Sequence, residues 1–180
     1  MISSWVEGAD GSDYSVAALP MGVAVLPAGD AAHLVTRIGD QVLDLHRVAM
    51  TELATDDLRP LLTSRTLNSL LAAGRPVWTK LRATLTTWLI DSAYRDLVTP
   101  HLHPMSAAHM VMPFDVADYV DFYSSEQHAR NVGAIFRPDS PGLPENWKHL
   151  PIGYHGRAGT VVVSGTDITR PLGQRKPRDA

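Results

Sequence analysis

The sequence contains no cysteine, which excludes disulfide bonds, thiolate metal sites and a cysteine nucleophile. It also lacks a strong charge of either sign, because the formal net charge is only −3. That balance gives no electrostatic reason to expect nucleic acid or an anionic membrane as a partner. No apolar run approaches the roughly 20 residues of a membrane span, and residues 1–14 lack the basic and apolar regions of a signal peptide. We therefore expect a soluble, cytoplasmic protein that binds neither nucleic acid nor membranes.

The first region of the chain, residues 1–112, has the patterns of a small sheet. Three short segments are rich in Val, Ile and Leu: 21–27, 33–38 and 41–45. The last two are separated by Gly39-Asp40, a two-residue turn typical of a β-hairpin. The 180 residues, of which 44% are hydrophobic, are enough for one domain, or for one small domain and part of another.

Helical patterns follow the sheet segments. Residues 64–74 end on a glycine suited to a helix C-terminus, and Pro76 suits the first turn of the next helix. Apolar residues in 77–90, including two tryptophans, recur at three- and four-residue spacing and predict an amphipathic helix. Tryptophans at this spacing usually pack in a core. We predict an α+β region, mainly β with helices, whose sheet is barrel-like, and nothing in it indicates catalysis.

The second region, residues 113–180, is rich in glycine, proline, histidine and tyrosine. Residues 138–146 contain three prolines and a glycine, which predicts a surface loop, and TVVVS at 160–164 predicts a short buried strand. The glycine-rich segment GYHGRAG at 153–159 matches neither nucleotide-binding glycine motif. It is better interpreted as tight backbone that presents polar side chains to a cleft.

The segment ADYVDFYSSEQH, residues 117–128, places three chemically useful side chains close together. Ser124 and Gln127 have the spacing of a capping box, which predicts a helix from about Ser125 to Phe136. In an extended segment Asp121 and Tyr123 share one face, and His128 lies in the first helical turn. A carboxylate, a phenol and an imidazole would then converge near the start of one helix.

The residues alone leave other interpretations open. Asp121 also suits a turn or cap, Tyr123 a core aromatic, and His128 a partly buried structural histidine. The pair His101-x-His103 has metal-like spacing but lies between prolines and lacks an obvious third ligand.

Two long stretches carry a family resemblance. DYVDFYSSEQHARNVGAIFR and LPENWKHLPIGYHGRAGTVVVSGTDITRPLGQ strongly resemble the fumarylacetoacetase family, and the likeness extends upstream through IGDQVLDL and LNSLLAAGRPVW. The resemblance implies a small SH3-like barrel domain, residues 1–112, followed by the start of a mixed β-roll catalytic domain, residues 113–180. It implies hydrolysis of the carbon–carbon bond of fumarylacetoacetate to fumarate and acetoacetate, in tyrosine and phenylalanine catabolism.

Matching motif positions imply the roles of five residues. Asp121 matches a ligand of a divalent cation, Ca²⁺ or Mg²⁺, and His128 matches the general base that activates water. Tyr123, Arg137 and Tyr154 match substrate contacts, with Arg137 on a substrate carboxylate. An imidazole with a pKa near 6.5 suits base catalysis near neutral pH, and a hard cation prefers oxygen ligands such as a carboxylate and a β-diketone.

The sequence departs from the family pattern after Asp121. Its later acids do not form the expected Glu-x-Glu pair; they are Glu126, Asp139, Glu145, Asp167 and Asp179. The remaining cation ligands are therefore expected outside this chain. We expect an N-terminal fragment that is inactive by itself, and a homodimer for the full-length form.

Two alternatives to a fumarylacetoacetase stay open. One is another hydrolase of the wider superfamily, such as an acylpyruvate hydrolase. The other is a non-catalytic assembly module that reuses the fold.

Overall fold

The computed structural model describes residues 2–27, 29, 31–156 and 161–173. These residues belong to two compact units. The large unit comprises the described residues of Met1–Asp115 and Val162–Ala180, and the small unit comprises those of Val116–Val161. All five residues with implied roles lie in the small unit. The domain boundary at residue 112 stays a prediction.

The large unit contains a five-stranded antiparallel sheet with strand order β4-β3-β2-β1-β5. Its strands are β1 (Met21–Val25), β2 (Ala32–Ile38), β3 (Gln41–Asp44), β4 (Leu102–Pro104) and β5 (His109–Val111). The three predicted strands and the Gly39-Asp40 hairpin are confirmed. Gly39 has φ +55°, a conformation that glycine adopts without steric cost.

The sheet is curled but open. Strands β4 and β5 form its two edges, yet only Met105–Ala107, a 3-10 turn, and Ala108 separate them in sequence. A flat sheet of five strands would hold its edges about 19 Å apart, farther than this short turn reaches. The α+β class is confirmed. In the described residues, however, no ladder closes the predicted barrel, because the two edge strands do not pair.

Both faces of the curled sheet are buried. On one face Ala24, Val35 and Val42 pack with Met105 and Met110. The opposite face packs on the larger core, which contains Val23, Leu34 and Leu43 together with helical side chains. Burial of both faces accounts for strands with nearly continuous apolar residues rather than a clean alternation.

Five helices of the large unit cover the sheet. They are α1 (Leu45–Ala49), α2 (Arg59–Leu62), α3 (Asn68–Ala72), α4 (Arg75–Ile90) and α5 (Arg95–Val98), with 3-10 turns at Ser92–Tyr94 and Thr99–His101. The predicted amphipathic helix is confirmed as α4, which buries Leu81, Leu85, Trp88 and Leu89. No helix in the described part of the chain is long and apolar enough to cross a membrane.

Asp44 joins three elements of the large unit. It is 2% exposed, and one carboxylate oxygen pairs with Nδ1 of His33 on β2 at 2.9 Å. The other oxygen accepts the backbone N–H of Arg47 at 2.9 Å and caps α1. The ring of His46, in α1, stacks on His33 with centroids 4.2 Å apart. A buried carboxylate with partners on both oxygens thus fixes β2, β3 and α1 together.

The small unit has little regular structure. It contains β6 (Asp121–Phe122), α6 (Glu126–Phe136), a 3-10 turn at Glu145–Lys148 and β7 (Gly153–Tyr154). The loop predicted at 138–146 is confirmed up to the start of that turn. The strand predicted at 160–164 is wrong for residues 161–164, since no described neighbour pairs with them, and Thr160 lies outside the described residues.

The loop after α6 contacts the helix where Gly142 of the loop meets Gly133 of the helix. A Cβ placed on Gly133 would lie 1.7 Å from the carbonyl oxygen of Gly142 and 2.6 Å from its carbon. Gly142 has φ +75° and is itself buried. Only glycine at 133 permits this approach of loop and helix, because the obstacle is backbone.

We expect the large unit to lose stability below about pH 6.5. Burial of the His46 imidazole, and then the neighbouring His33, lower the pKa of His46 below its ordinary value. The unfolded chain then binds the proton at a higher pH than the folded chain, so the free energy of unfolding falls as the pH drops below the unfolded pKa. Urea unfolding followed by tryptophan fluorescence between about pH 5 and 8 measures this.

A His46→Phe variant should show a weaker pH dependence, and the exposed His109→Phe variant should retain that of the parent chain. Some dependence should remain in His46→Phe, because burial also lowers the pKa of His101. Identical pH profiles for His46→Phe and the parent chain would contradict the assignment.

We expect Gly133→Ala to destabilise the small unit by about 1–3 kcal/mol or more, since either the loop or α6 must move. Hydrogen–deuterium exchange of the α6 amides, followed by mass spectrometry, measures the loss of protection. Asn131→Ala, at an exposed position of the same helix, is the matched control and should change stability by about 0.5 kcal/mol or less. Equal protection in both variants would show that the glycine contact is not needed.

Candidate functional site

The pairing of β6 with β7 brings two of the predicted site residues into contact. Asp121 lies directly opposite Tyr154, and the Tyr154 hydroxyl donates to Oδ2 of Asp121 at 2.7 Å. Facing residues of an antiparallel pair have side chains on the same side of the sheet. Asp121 and Tyr154 are 33 residues apart in sequence, so local spacing could not predict this hydrogen bond.

Tyr123 extends the same edge toward the helix. Its backbone N–H donates to the carbonyl of Ile152 at 3.3 Å, which continues the β6–β7 ladder by one residue. Asp121 and Tyr123 are both half-buried, whereas Phe122 between them is 53% exposed. This alternation supports the prediction that the carboxylate and the phenol share one face.

The N-cap of α6 lies one residue later than predicted, and so does the first helical residue. Ser125, rather than Ser124, has extended backbone before α6, and its Oγ accepts the backbone N–H of His128 at 3.3 Å. The predicted capping box of Ser124 and Gln127 is therefore wrong. The third residue of the helix, whose amide the cap bonds, is His128 and not Gln127. His128 lies in the first turn, as predicted.

Tyr123 and His128 are in contact. Their ring centroids are 5.9 Å apart with the planes at 75°, an edge-to-face arrangement. The Tyr123 hydroxyl donates to the carbonyl of Ala129 at 3.1 Å, which fixes the ring against the first turn of α6. The imidazole itself is exposed. The Tyr123 ring therefore packs against the His128 imidazole, which ligands can reach from solvent.

Arg137 lies at the other end of α6. It is the C-terminal cap residue, nine positions after His128, so at 1.5 Å per residue the two Cα atoms are separated by roughly 13 Å along the helix axis. The structure thus brings together two pairs, Asp121 with Tyr154 and Tyr123 with His128. It does not bring Arg137 to either pair.

A charge cluster at the start of α6 was missed in the sequence. Oε1 of Glu126 accepts from Nε and Nη2 of Arg130 at 2.9 and 2.8 Å, and Nζ of Lys148 lies 3.2 Å away. These contacts, with Arg130 first, lower the pKa of the Glu126 carboxyl. The four-residue spacing of Glu126 and Arg130 is a signal for their pair. Lys148 has no such local signal.

A cleft of about 340 Å³ opens beside Tyr123. Its lining consists of Tyr123, Ser124 and residues 147–152. Lys148 and His149 belong to this lining, and both are exposed. The cleft therefore has two residues with nitrogen-bearing side chains in the same lining as the tyrosine that the family resemblance assigns to substrate.

The described residues do not provide a complete cation site. Asp121 is the one carboxylate with an implied ligand role, and Tyr154 already donates to one of its oxygens. Within the described ranges, no three His, Asp or Glu side chains are grouped closely enough to hold a metal ion, and this includes His101 and His103. A Ca²⁺ ion needs about six to eight oxygen ligands.

The family model and the individual proteins that match this chain bear the same family name. The family model described as "Fumarylacetoacetase N-terminal" matches residues 17–113. Proteins named fumarylacetoacetase match almost the whole chain. That of Oryza sativa is 44% identical over 188 residues, covering 98% of this chain; that of Caenorhabditis elegans is 40% identical, covering 99%; that of Homo sapiens is 39% identical, covering 98%. The chain spans 44% of the length of each.

We expect the 180-residue chain to bind Ca²⁺ only weakly, with a Kd above about 1 mM, because one carboxylate provides far fewer oxygens than the ion requires. Isothermal titration calorimetry measures this, and Asp121→Asn should give the same heats as the parent chain. Saturable binding at micromolar Ca²⁺ that Asp121→Asn abolishes would show that this chain holds further ligands.

Proposed function

Since the chain belongs to the fumarylacetoacetase family, we propose that it forms part of an enzyme that hydrolyses fumarylacetoacetate to fumarate and acetoacetate. The observation that carries this proposal is the similarity to proteins of that name over 97–99% of this chain. Arrangement of the small unit supports it, because a solvent-accessible imidazole lies against a tyrosine beside an open cleft.

In this proposal His128 is the general base. It removes a proton from a water molecule as that water attacks the carbonyl carbon of the fumaryl group, which is bonded to the alkene. The bond between this carbon and the neighbouring methylene then breaks, and the electron pair of that bond leaves with the acetoacetate part as an enolate. Protonation of the enolate carbon completes the products. An imidazole has a ring nitrogen that can accept the proton from water and later return it.

Both tyrosines are proposed to contact substrate. Tyr123 is proposed to hydrogen-bond substrate through its hydroxyl oxygen, which can still accept a hydrogen bond while its O–H donates to the Ala129 carbonyl. Tyr154 is proposed to contact substrate as well, and its hydroxyl also orients the Asp121 carboxylate in the structure. Arg137 is proposed to bind a substrate carboxylate through its planar guanidinium group.

Asp121 is proposed as one ligand of a divalent cation, Ca²⁺ or Mg²⁺. When bound, such a cation would stabilise negative charge that develops on substrate oxygen. Among the described residues, Asp121 is the one carboxylate with an implied ligand role. Asp121 would provide a carboxylate oxygen at a fixed position on β6.

The test is a chimera in which this chain replaces the matching segment of the Oryza sativa fumarylacetoacetase. We expect the chimera to release fumarate from fumarylacetoacetate. Proton NMR measures this release. His128→Gln in the chimera should lower kcat by about 10²- to 10⁴-fold, the usual contribution of a general base. His109→Gln, on β5 of the large unit, is the control and should leave kcat within about twofold.

Each outcome has a meaning for the proposal. An active chimera in which His128→Gln and His109→Gln are equally active would contradict the assignment of His128. Activity on acylpyruvates but not on fumarylacetoacetate would favour the alternative hydrolase. A folded chimera that hydrolyses neither substrate would favour an assembly module.

Two further expectations belong to the same proposal. The longer protein is proposed to be a homodimer, which light scattering coupled to size-exclusion chromatography measures. It is also proposed to work in the cytoplasm, which cell fractionation with an antibody against the chain measures.

A further inference from the structure

The start of α6 carries more positive than negative charge. Glu126 neutralises one charge, yet two cations, Arg130 and Lys148, share its Oε1. Lys148 is bound to the first residue of the helix, two positions before His128. The positive end of the helix dipole lies at the same place. The cluster of Glu126, Arg130 and Lys148 therefore has two cations and one carboxylate close to the start of α6.

The ammonium group of Lys148 has capacity for a ligand. An ammonium has three N–H donors. Within the described part of the chain, Nζ of Lys148 lies 3.2 Å from Oε1 of Glu126. The Lys148 side chain is 54% exposed. It lines the cleft together with Tyr123 and His149. A carboxylate in this cleft would meet a cation, an imidazole and a phenol.

The proposed substrate needs two such places. Fumarylacetoacetate has a carboxylate at each end of its chain, and hydrolysis leaves one on each product. Arg137 provides for one carboxylate, but it lies roughly 13 Å along the helix axis from His128. A carboxylate bound near His128 would therefore need a second cation, and Lys148 is a cation close to the start of α6.

We propose that Lys148 and His149 form a carboxylate-binding part of the cleft that Tyr123 also lines, and that this part recognises one end of a dicarboxylate substrate. This inference rests on the proposed function. Lys148 acts on binding, because it contacts the end of the substrate and not the reacting carbon. Its contribution is a charge-assisted hydrogen bond whose strength falls as salt screens the exposed charge.

The test uses fumarate as the probe and the 180-residue chain itself, labelled with ¹⁵N. We expect fumarate to produce saturable amide shifts in Tyr123, Ser124 and residues 147–152. Dimethyl fumarate, which lacks the charges, should produce none. Lys148→Met should weaken fumarate binding by about tenfold, as expected for loss of a charge-assisted hydrogen bond. Lys148→Arg should retain most of the affinity.

Lys80→Met is the matched control. Lys80 is similarly exposed, at 47%, and also pairs with an acid, Asp57, but in the large unit. It should bind fumarate as the parent chain does. Amide spectra of Lys148→Met without ligand show whether the small unit is still folded. If it is not, Lys148→Arg and the salt dependence of fumarate binding in the parent chain decide the matter.

Three results would overturn the inference: no saturable shifts, shifts centred on Arg137, or equal affinity in Lys148→Met and Lys80→Met. The chimera assay separates this failure from that of the proposed function. Turnover by the chimera without fumarate shifts at residues 147–152 rejects the role of Lys148 alone. Fumarate shifts there without turnover would keep the carboxylate site and reject the catalytic proposal.

Discussion

The geometry of the candidate site depends on the backbone conformation of one serine. Ser125 is extended, with ψ 117°, and the next residue is helical, so the chain changes direction there. The extended side of this junction leads back to Tyr123 and Asp121 on β6. The helical side places His128 within one turn, where its amide is bonded to Ser125 Oγ. Moving the junction by one residue would rotate the imidazole by about 100° around the helix.

The two units are stabilised in different ways. The large unit has an apolar core of leucines, valines and a tryptophan, and one buried acid that is bonded on both oxygens. In the small unit α6 buries two residues, Ala129 and Gly133, and this unit relies on a glycine contact, a cap and exposed ion pairs. Exposed ion pairs contribute at most about 1 kcal/mol each. The cap and the glycine contact therefore contribute more than the ion pairs to the stability of the structure around His128.

Sequence reasoning succeeded where the signal was local. The β1–β3 strands, the Gly39 turn and α4 follow from periodicity and turn chemistry, and the start of α6 was predicted within one residue. It failed where a partner lay far along the chain. The pairing of Asp121 with Tyr154 and of Glu126 with Lys148 requires β6, β7 and the 3-10 turn to meet, which no spacing rule reveals. The strand expected at 161–164 had the right composition, but composition does not supply a neighbouring strand.

The choice between Ser124 and Ser125 as the cap illustrates a further limit. Both serines are acceptable caps, and Gln127 favours the first through the capping box. In the structure Ser125 is the cap, and the Tyr123 hydroxyl donates to the Ala129 carbonyl in the first turn. The capping pattern does not include this side-chain contact, so the pattern alone could not choose between the two serines.

The curled sheet has a consequence for how the large unit folds. Its edge strands β4 and β5 are made last, after all five helices of the unit, while β1–β3 form from residues near the start. Until residues 102–111 have been synthesised, both β1 and β3 expose unpaired edges that can associate with other chains. Pairing of Val23 with Val111 joins segments from opposite ends of the unit, and such non-local pairing slows folding. The sheet that protects the large unit once it is folded is thus also the part most open to misassembly while the chain is being made.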